Sequence, residues 1–146
     1  MIEQVSRENL EEVLPLVRAY QEFYKVQSVC DKRNFEFFSK FCGSSEQGSQ
    51  FLFRKEEEVV GFATVYFTFT STITSKIAIL NDLYTLPKFR GNGIGRQLID
   101  HCREFAKGNG AARLQWVTAP DNVAAQKLYD SMGTSKSTWH FYTYST

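Results

Sequence analysis

Residues 86 to 98 read LPKFRGNGIGRQL, three glycines spaced two apart behind an arginine. A β-rich stretch precedes them and an amphipathic stretch follows, so the loop stands between a strand and the start of a helix. Backbone N–H groups at a helix start have no intrahelical acceptor, and the helix dipole adds positive potential, so such a loop is an anion site. Gly91, Gly93 and Gly95 carry no Cβ, which lets a phosphate oxygen approach the main chain, while Arg90 adds a charged fork. A Walker-type loop needs Lys and then Ser or Thr after its last glycine, but Gly95 is followed by Arg96 and Gln97. A dinucleotide loop needs G-x-G-x-x-G and an acidic residue about 20 positions on, where Gln115 and Trp116 stand instead. What remains is the pattern Arg90-x-x-Gly93-x-Gly95.

The elements that must hold this loop follow from periodicity. SRENLEEVLPLVRAYQEFYKV places Leu10, Val13, Leu14, Val17, Tyr20 and Tyr24 at helical spacing, with Ser6 or Asn9 as the cap and Pro15 costing one hydrogen bond. RNFEFFSKFC reads as a second, shorter helix. From residue 51 the composition turns β-branched and aromatic, and polar breaks at Glu56 to Glu58 and Thr72 to Lys76 divide it into three antiparallel strands. A helix from Gly93 to Lys107 with an apolar stripe (Ile94, Leu98, Cys102, Phe105, Ala106) comes next. ARLQWVT then reads as a strand, DNVAAQKLYDSMG as a short helix, and STWHFYTYS as a last strand. The order is strand, two helices, three strands, helix, strand, helix, strand. It predicts an α/β fold: a single domain over 1–146 with a mixed, mostly antiparallel sheet of about six or seven strands and about four helices on both faces.

Composition narrows the partners. The chain has 146 residues, 42% of them hydrophobic, enough for one substantial core. Seventeen basic against sixteen acidic residues leave a formal charge of +1, which argues against bulk nucleic acid or an anionic membrane as partner. Cys30, Cys42 and Cys102 form no C-x-x-C pair and are odd in number, unlike a disulfide framework or a zinc site. The opening MIEQVSRENLEE lacks a basic segment followed by an apolar run, so the expected location is the cytoplasm.

The loop resembles the pyrophosphate loop of the GNAT superfamily of acetyl-CoA-dependent N-acyltransferases. LNDLYTLPKFRGNGIGRQLI resembles that superfamily's fourth strand and third helix, and DNVAAQKLYDSMG resembles its N-x-x-A-x-x-x-Y-x-x-x-G helix. Within the superfamily, L-x-D-L-Y and the W-x-x-Y C-terminal region are similar to the branch containing spermidine/spermine and thialysine acetyltransferases. The resemblance implies that an amine attacks the acetyl thioester of coenzyme A and that the thiolate leaves. It implies a splayed central strand pair whose gap takes the pantetheine arm on the main chain of Leu83, Tyr84 and Thr85. It further implies that Arg90 and the amides of Gly91, Asn92, Gly93, Ile94, Gly95 and Arg96 hold the pyrophosphate, with Asn122 and Ala125 on the cofactor side. Tyr129, seven residues after Asn122, matches the family's general acid. A thiol has pKa about 8.5 and a phenol about 10, so a neutral tyrosine can protonate the departing thiolate at neutral pH.

The base is less direct. An alkylammonium with pKa near 10 must lose a proton before it attacks. The polyamine enzymes carry a glutamate where this chain has Asn81, and asparagine cannot be a base, though its amide can orient a water. Asp82 is the nearest acid, but strand alternation sends it to the opposite side unless a bulge re-aims it. Glu22 on the first helix is a further candidate, and Tyr20, Phe23, Tyr24, Tyr66, Tyr84, Trp116 and Trp139 could cage an alkylammonium group. The expected activity is acetyl transfer from acetyl-CoA to a small primary amine. A protein N-acetyltransferase and a non-catalytic acyl-CoA sensor are the alternatives, and the aromatic last strand could pair across a homodimer.

Overall fold

The computed structural model describes residues 1–43 and 45–146, which form two compact units, Met1–Trp116 and Val117–Thr146. In the first unit, β1 (Ile2–Gln4) lies antiparallel to β2 (Gly48–Lys55), and β2 to β3 (Glu58–Thr70). The acidic turn between β2 and β3 closes with Glu56 at φ 56°, a left-handed conformation that the tight reversal requires. A second turn with Thr74 at φ 46° leads into β4 (Ser75–Thr85), antiparallel to β3. β5 (Leu114–Gln115) pairs parallel with β4, giving the order β1-β2-β3-β4-β5.

Helices cover both faces of this sheet because alternate residues of β3 supply two different apolar surfaces. Phe62 and Leu52 join Leu10, Val13, Leu16 and Val17 of α1 (Leu10–Phe23) in one core. Asn9 is the N-cap residue of α1 but caps it through no side-chain bond; the turn before the helix is held instead by Asn9 Oδ1, which accepts from Ser6 N at 2.8 Å, and by Ser6 Oγ, which accepts from Glu8 N at 3.2 Å. Pro15 lies inside α1. α2 (Asp31–Phe38) continues as a 3₁₀ turn over Ser39–Phe41 and adds Phe38 and Phe41 to the same core. On the other face, α3 (Ile94–Gly108) buries Ile94, Leu98, Ile99, Cys102 and Ala106. It packs over β3 at Gly61, where a Cβ would stand 2.9 Å from Tyr84 O of the neighbouring strand and 3.2 Å from Ile94 Cγ2, so a larger residue would have to displace the β4 backbone.

Phe62 is fully buried and touches the rings of Tyr20 and Tyr84 at 5.8 and 6.3 Å between centroids. Phe62→Ala should therefore cost about 3–5 kcal/mol of stability, read from urea unfolding. A loss below about 1 kcal/mol would mean that this core tolerates collapse around the gap.

The second unit holds α4 (Val123–Asp130), capped by Asn122, whose Oδ1 accepts from Ala125 N at 3.3 Å. Two expectations need correction. Among the described residues the sheet has five strands, not six or seven, because residues 134–146, including STWHFYTYS, form no strand. Propensity measures fit to a pleated, half-covered surface, and here Trp139, Phe141, Tyr142 and Tyr144 stand 85–95% exposed without such cover. ARLQWVT likewise contributes only Leu114–Gln115 to the sheet.

Candidate active site

The mouth of the candidate site is built by a strand that loses its neighbour. Among the described residues β4 pairs with β5 only at Ala78 and Ile79, so the rest of its outer edge, Leu80 to Thr85, has no partner strand there. Which groups face the gap follows from alternation: Leu86 N donates to Val60 O on β3, so Tyr84 also directs its main-chain groups toward β3. Leu83 and Thr85 direct theirs outward. Thr85 O already accepts from Arg90 Nε at 2.9 Å, which leaves the main-chain groups of Leu83 and the amide of Thr85 for a ligand's amides.

Past β4, a 3₁₀ turn at Pro87–Phe89 leads into the glycine loop. Gly91 and Gly93 have φ 81° and 76°, and Gly93 is the residue that caps α3. Asn92 Nδ2 donates to Phe89 O at 3.0 Å, which braces the turn from inside. A Cβ on Gly91 would meet nothing within 4 Å, and one on Gly93 only Gln97 Nε2 at 4.0 Å. The space over the loop is therefore open, and the first-turn amides of Ile94, Gly95 and Arg96 lie where a helix offers no internal acceptor. No acidic residue occupies this first turn and Arg96 does, which the dipole disfavours unless an anion is present. Open space, left-handed glycines and a helix N-terminus fit a diphosphate group.

Arg90 makes contacts that its sequence position does not announce. Besides its bond to Thr85 O, its guanidinium lies over the rings of Tyr84 and Phe23 at 5.5 and 5.7 Å. Its Nη groups donate to no partner among the described residues. Tyr20, Phe23, Tyr24 and Tyr84 do come together, with Tyr20–Tyr24 at 4.9 Å and Phe23–Tyr24 at 5.2 Å between ring centroids. The cation this cluster already holds is the chain's own Arg90. Glu22 pairs with Arg18 at 3.4 Å on an exposed helix face.

The acids question turns on a bulge. The β3–β4 register shifts between Thr64 and Val65, which pair with Asp82 and Leu80, so Asn81 is the extra residue. Asn81 is exposed, while Asp82 turns under α1 and is 7% exposed. Asp82 Oδ1 accepts from Asn81 Nδ2 at 3.0 Å. Its Oδ2 has no partner in good hydrogen-bond geometry, although Thr64 and Tyr20 lie near enough to favour the anion. Burial outweighs them and raises the Asp82 pKa above the ordinary carboxylate range. Burial, with the Asp82 charge adding to it, also pushes the Tyr66 phenol up. Sequence reasoning missed the polar residues beneath: fully buried Gln50 donates from Nε2 to Thr64 Oγ1 at 3.2 Å. The only local sign was an amide flanked by Phe51, Leu52 and Phe53.

A carboxyl with a raised folded pKa binds protons more readily in the folded chain than in the unfolded one. Its contribution to stability therefore falls as pH rises from about 4 through the folded value. Urea unfolding across that range should give Asp82→Asn a shallower decline than the parent. Equal slopes would contradict the buried titration.

Tyr129 lies in the last turn of α4, half-buried, and its main-chain oxygen accepts from Thr134 Oγ1 at 2.8 Å.

The Acetyltransferase (GNAT) family model matches residues 13–134. The chain belongs to this acetyltransferase family. The match spans both compact units, from α1 through the end of α4. The uncharacterized N-acetyltransferase YhfO of Bacillus subtilis (strain 168) is 31% identical over 137 residues, 94% of this chain and 91% of that one. The thialysine N-epsilon-acetyltransferase of Bos taurus is 34% identical over 86 residues, 56% of this chain and 50% of that protein. A crystal structure of a probable acetyltransferase has TM-score 0.86 at 29% identity, covering 100% of this chain and 97% of that one. GNAT acetyltransferases draw the acetyl group from acetyl-CoA, so this chain is an N-acetyltransferase with acetyl-CoA as its cosubstrate. Among the described residues, no helix is long and apolar enough to cross a membrane.

Proposed function

We propose that this GNAT enzyme acetylates a primary amine of a small molecule by direct attack on the thioester, and that residues 1–146 act as one catalytic domain. The observation that carries this reading is the open glycine loop standing next to an unpartnered strand edge. The loop amides of Gly91 to Arg96 hold the diphosphate, and Leu83 and Thr85 bind the pantetheine amides and polarise the thioester carbonyl. Arg90 fixes the start of the loop to the strand through Thr85 and leaves its Nη groups for a phosphate oxygen. Acetyl-CoA supplies the activated acetyl group. Asn122 caps α4; in this reading Asn122 and Ala125 contact coenzyme A, and Tyr129 delivers a proton to the leaving sulfur. The small-amine branch is supported by thialysine N-epsilon-acetyltransferases among the relatives.

Release of coenzyme A thiol with a panel of amines tests the reading. Steady release with an acceptor amine, including lysine analogues, is the expected outcome. Release only with peptide or protein acceptors would move the assignment to protein acetylation. Tight acetyl-CoA binding with no release for any acceptor would make the chain a sensor.

A further inference from the structure

Asn81 and Asp82 are neighbours with opposite surroundings: one is the exposed extra residue of a bulge, the other is buried beneath α1. A primary amide has a donor end and an acceptor end. With Asn81 Nδ2 committed to Asp82 Oδ1 at 3.0 Å, the amide oxygen must turn away from the carboxyl. Among the described residues nothing donates to Asn81 Oδ1. The lock survives protonation of Asp82, because a neutral carboxyl keeps one accepting oxygen. Other titratable groups near the carboxyl are the phenols of Tyr20 on α1 and Tyr66 on β3, and no basic side chain pairs with it among the described residues. Asn81 lies just beyond Ile79, the last β4 residue paired with β5, and therefore where the two strands part.

We propose that Asp82 is a positioning residue, locking the Asn81 side-chain amide so that its oxygen accepts a hydrogen bond from an N–H of the incoming amine or from its water. Asn81 moves no proton. It turns the amine so that its lone pair faces the thioester, and the proton departs to solvent. The proposal rests on the small-amine reading above. It explains how asparagine serves at a position where a base was expected, and it separates Asp82 from that base role.

The test is the amine kcat/KM of Asp82→Ala, Asp82→Asn, Asn81→Ala and the Ala/Ala double variant, with acetyl-CoA affinity and melting temperature measured on each. Asparagine at 82 still offers an accepting oxygen, so D82N should lose about threefold and D82A about thirtyfold. N81A should match D82A, and the double variant should fall no further, since both changes remove one device. Acetyl-CoA affinity should be alike in all four. A D82N as inactive as D82A would make Asp82 the base, and additive losses would separate the two residues; either result overturns the proposal. If the parent turns over no amine, the small-amine reading fails on its own, and exchange of the Asn81 side-chain amide protons with water decides. Slow exchange in the parent and D82N with fast exchange in D82A supports the lock, while equal rates in all three refute it.

Discussion

Gly93→Val should weaken acetyl-CoA binding about a hundredfold, the loss of two or so charge-assisted hydrogen bonds to a diphosphate. Gly93 sits at φ 76° with open space above it, so a valine side chain would enter the volume where the phosphate must lie. The same change also strains the backbone, by about 1–3 kcal/mol, because β-branched residues avoid left-handed φ. Gly110 separates the two effects. It has φ 78° and nothing within 4 Å of a would-be Cβ, yet it follows the end of α3 rather than its start. Gly110→Val should lose similar stability and keep its affinity. Calorimetric titration of both variants checks this, and equal affinity losses would assign the effect to strain alone.

Tyr129→Phe should lower kcat by about a hundredfold or more and leave acetyl-CoA affinity within about twofold. In the proposed mechanism, removing the phenol oxygen deletes the proton donor, while the ring keeps its half-buried place on α4. A thiolate leaving into water unaided is a poorer leaving group than a thiol, so the loss should appear in turnover rather than binding. Because the resulting defect concerns the leaving group, it should shrink for thioesters whose thiol is more acidic. Pre-steady-state thiol release compared across two such donors reads this directly. A parallel fall in affinity and turnover would assign Tyr129 to packing.

The elements nearest the site were legible where local chemistry decides them. The stripe Ile94, Leu98, Cys102, Ala106 is buried as its spacing required, and the acidic turn falls at Glu56, where a polar residue can take positive φ. The loop was legible for the same reason: glycine spacing reports backbone geometry directly. The bulge was not, because its register is set by pairing between Thr64 and Asp82, eighteen residues apart, and no residue type at Asn81 announces it. Hence the surroundings of Asp82 could be posed from alternation but not decided. The local partners of Arg90 were not legible either: Thr85 O and two aromatic faces, contributed by other elements, hold its guanidinium and set where its Nη groups lie. The last segment shows the limit of propensity, since an aromatic-rich alternation becomes a strand only when a ladder partner receives it.

A crystal structure of the chain with coenzyme A tests the central claim most directly. The account predicts diphosphate oxygens within hydrogen-bond distance of the amides between Gly91 and Arg96, and the pantetheine arm along the outer edge of β4 at Leu83 and Thr85. A diphosphate bound elsewhere, with those amides still facing solvent, would contradict it.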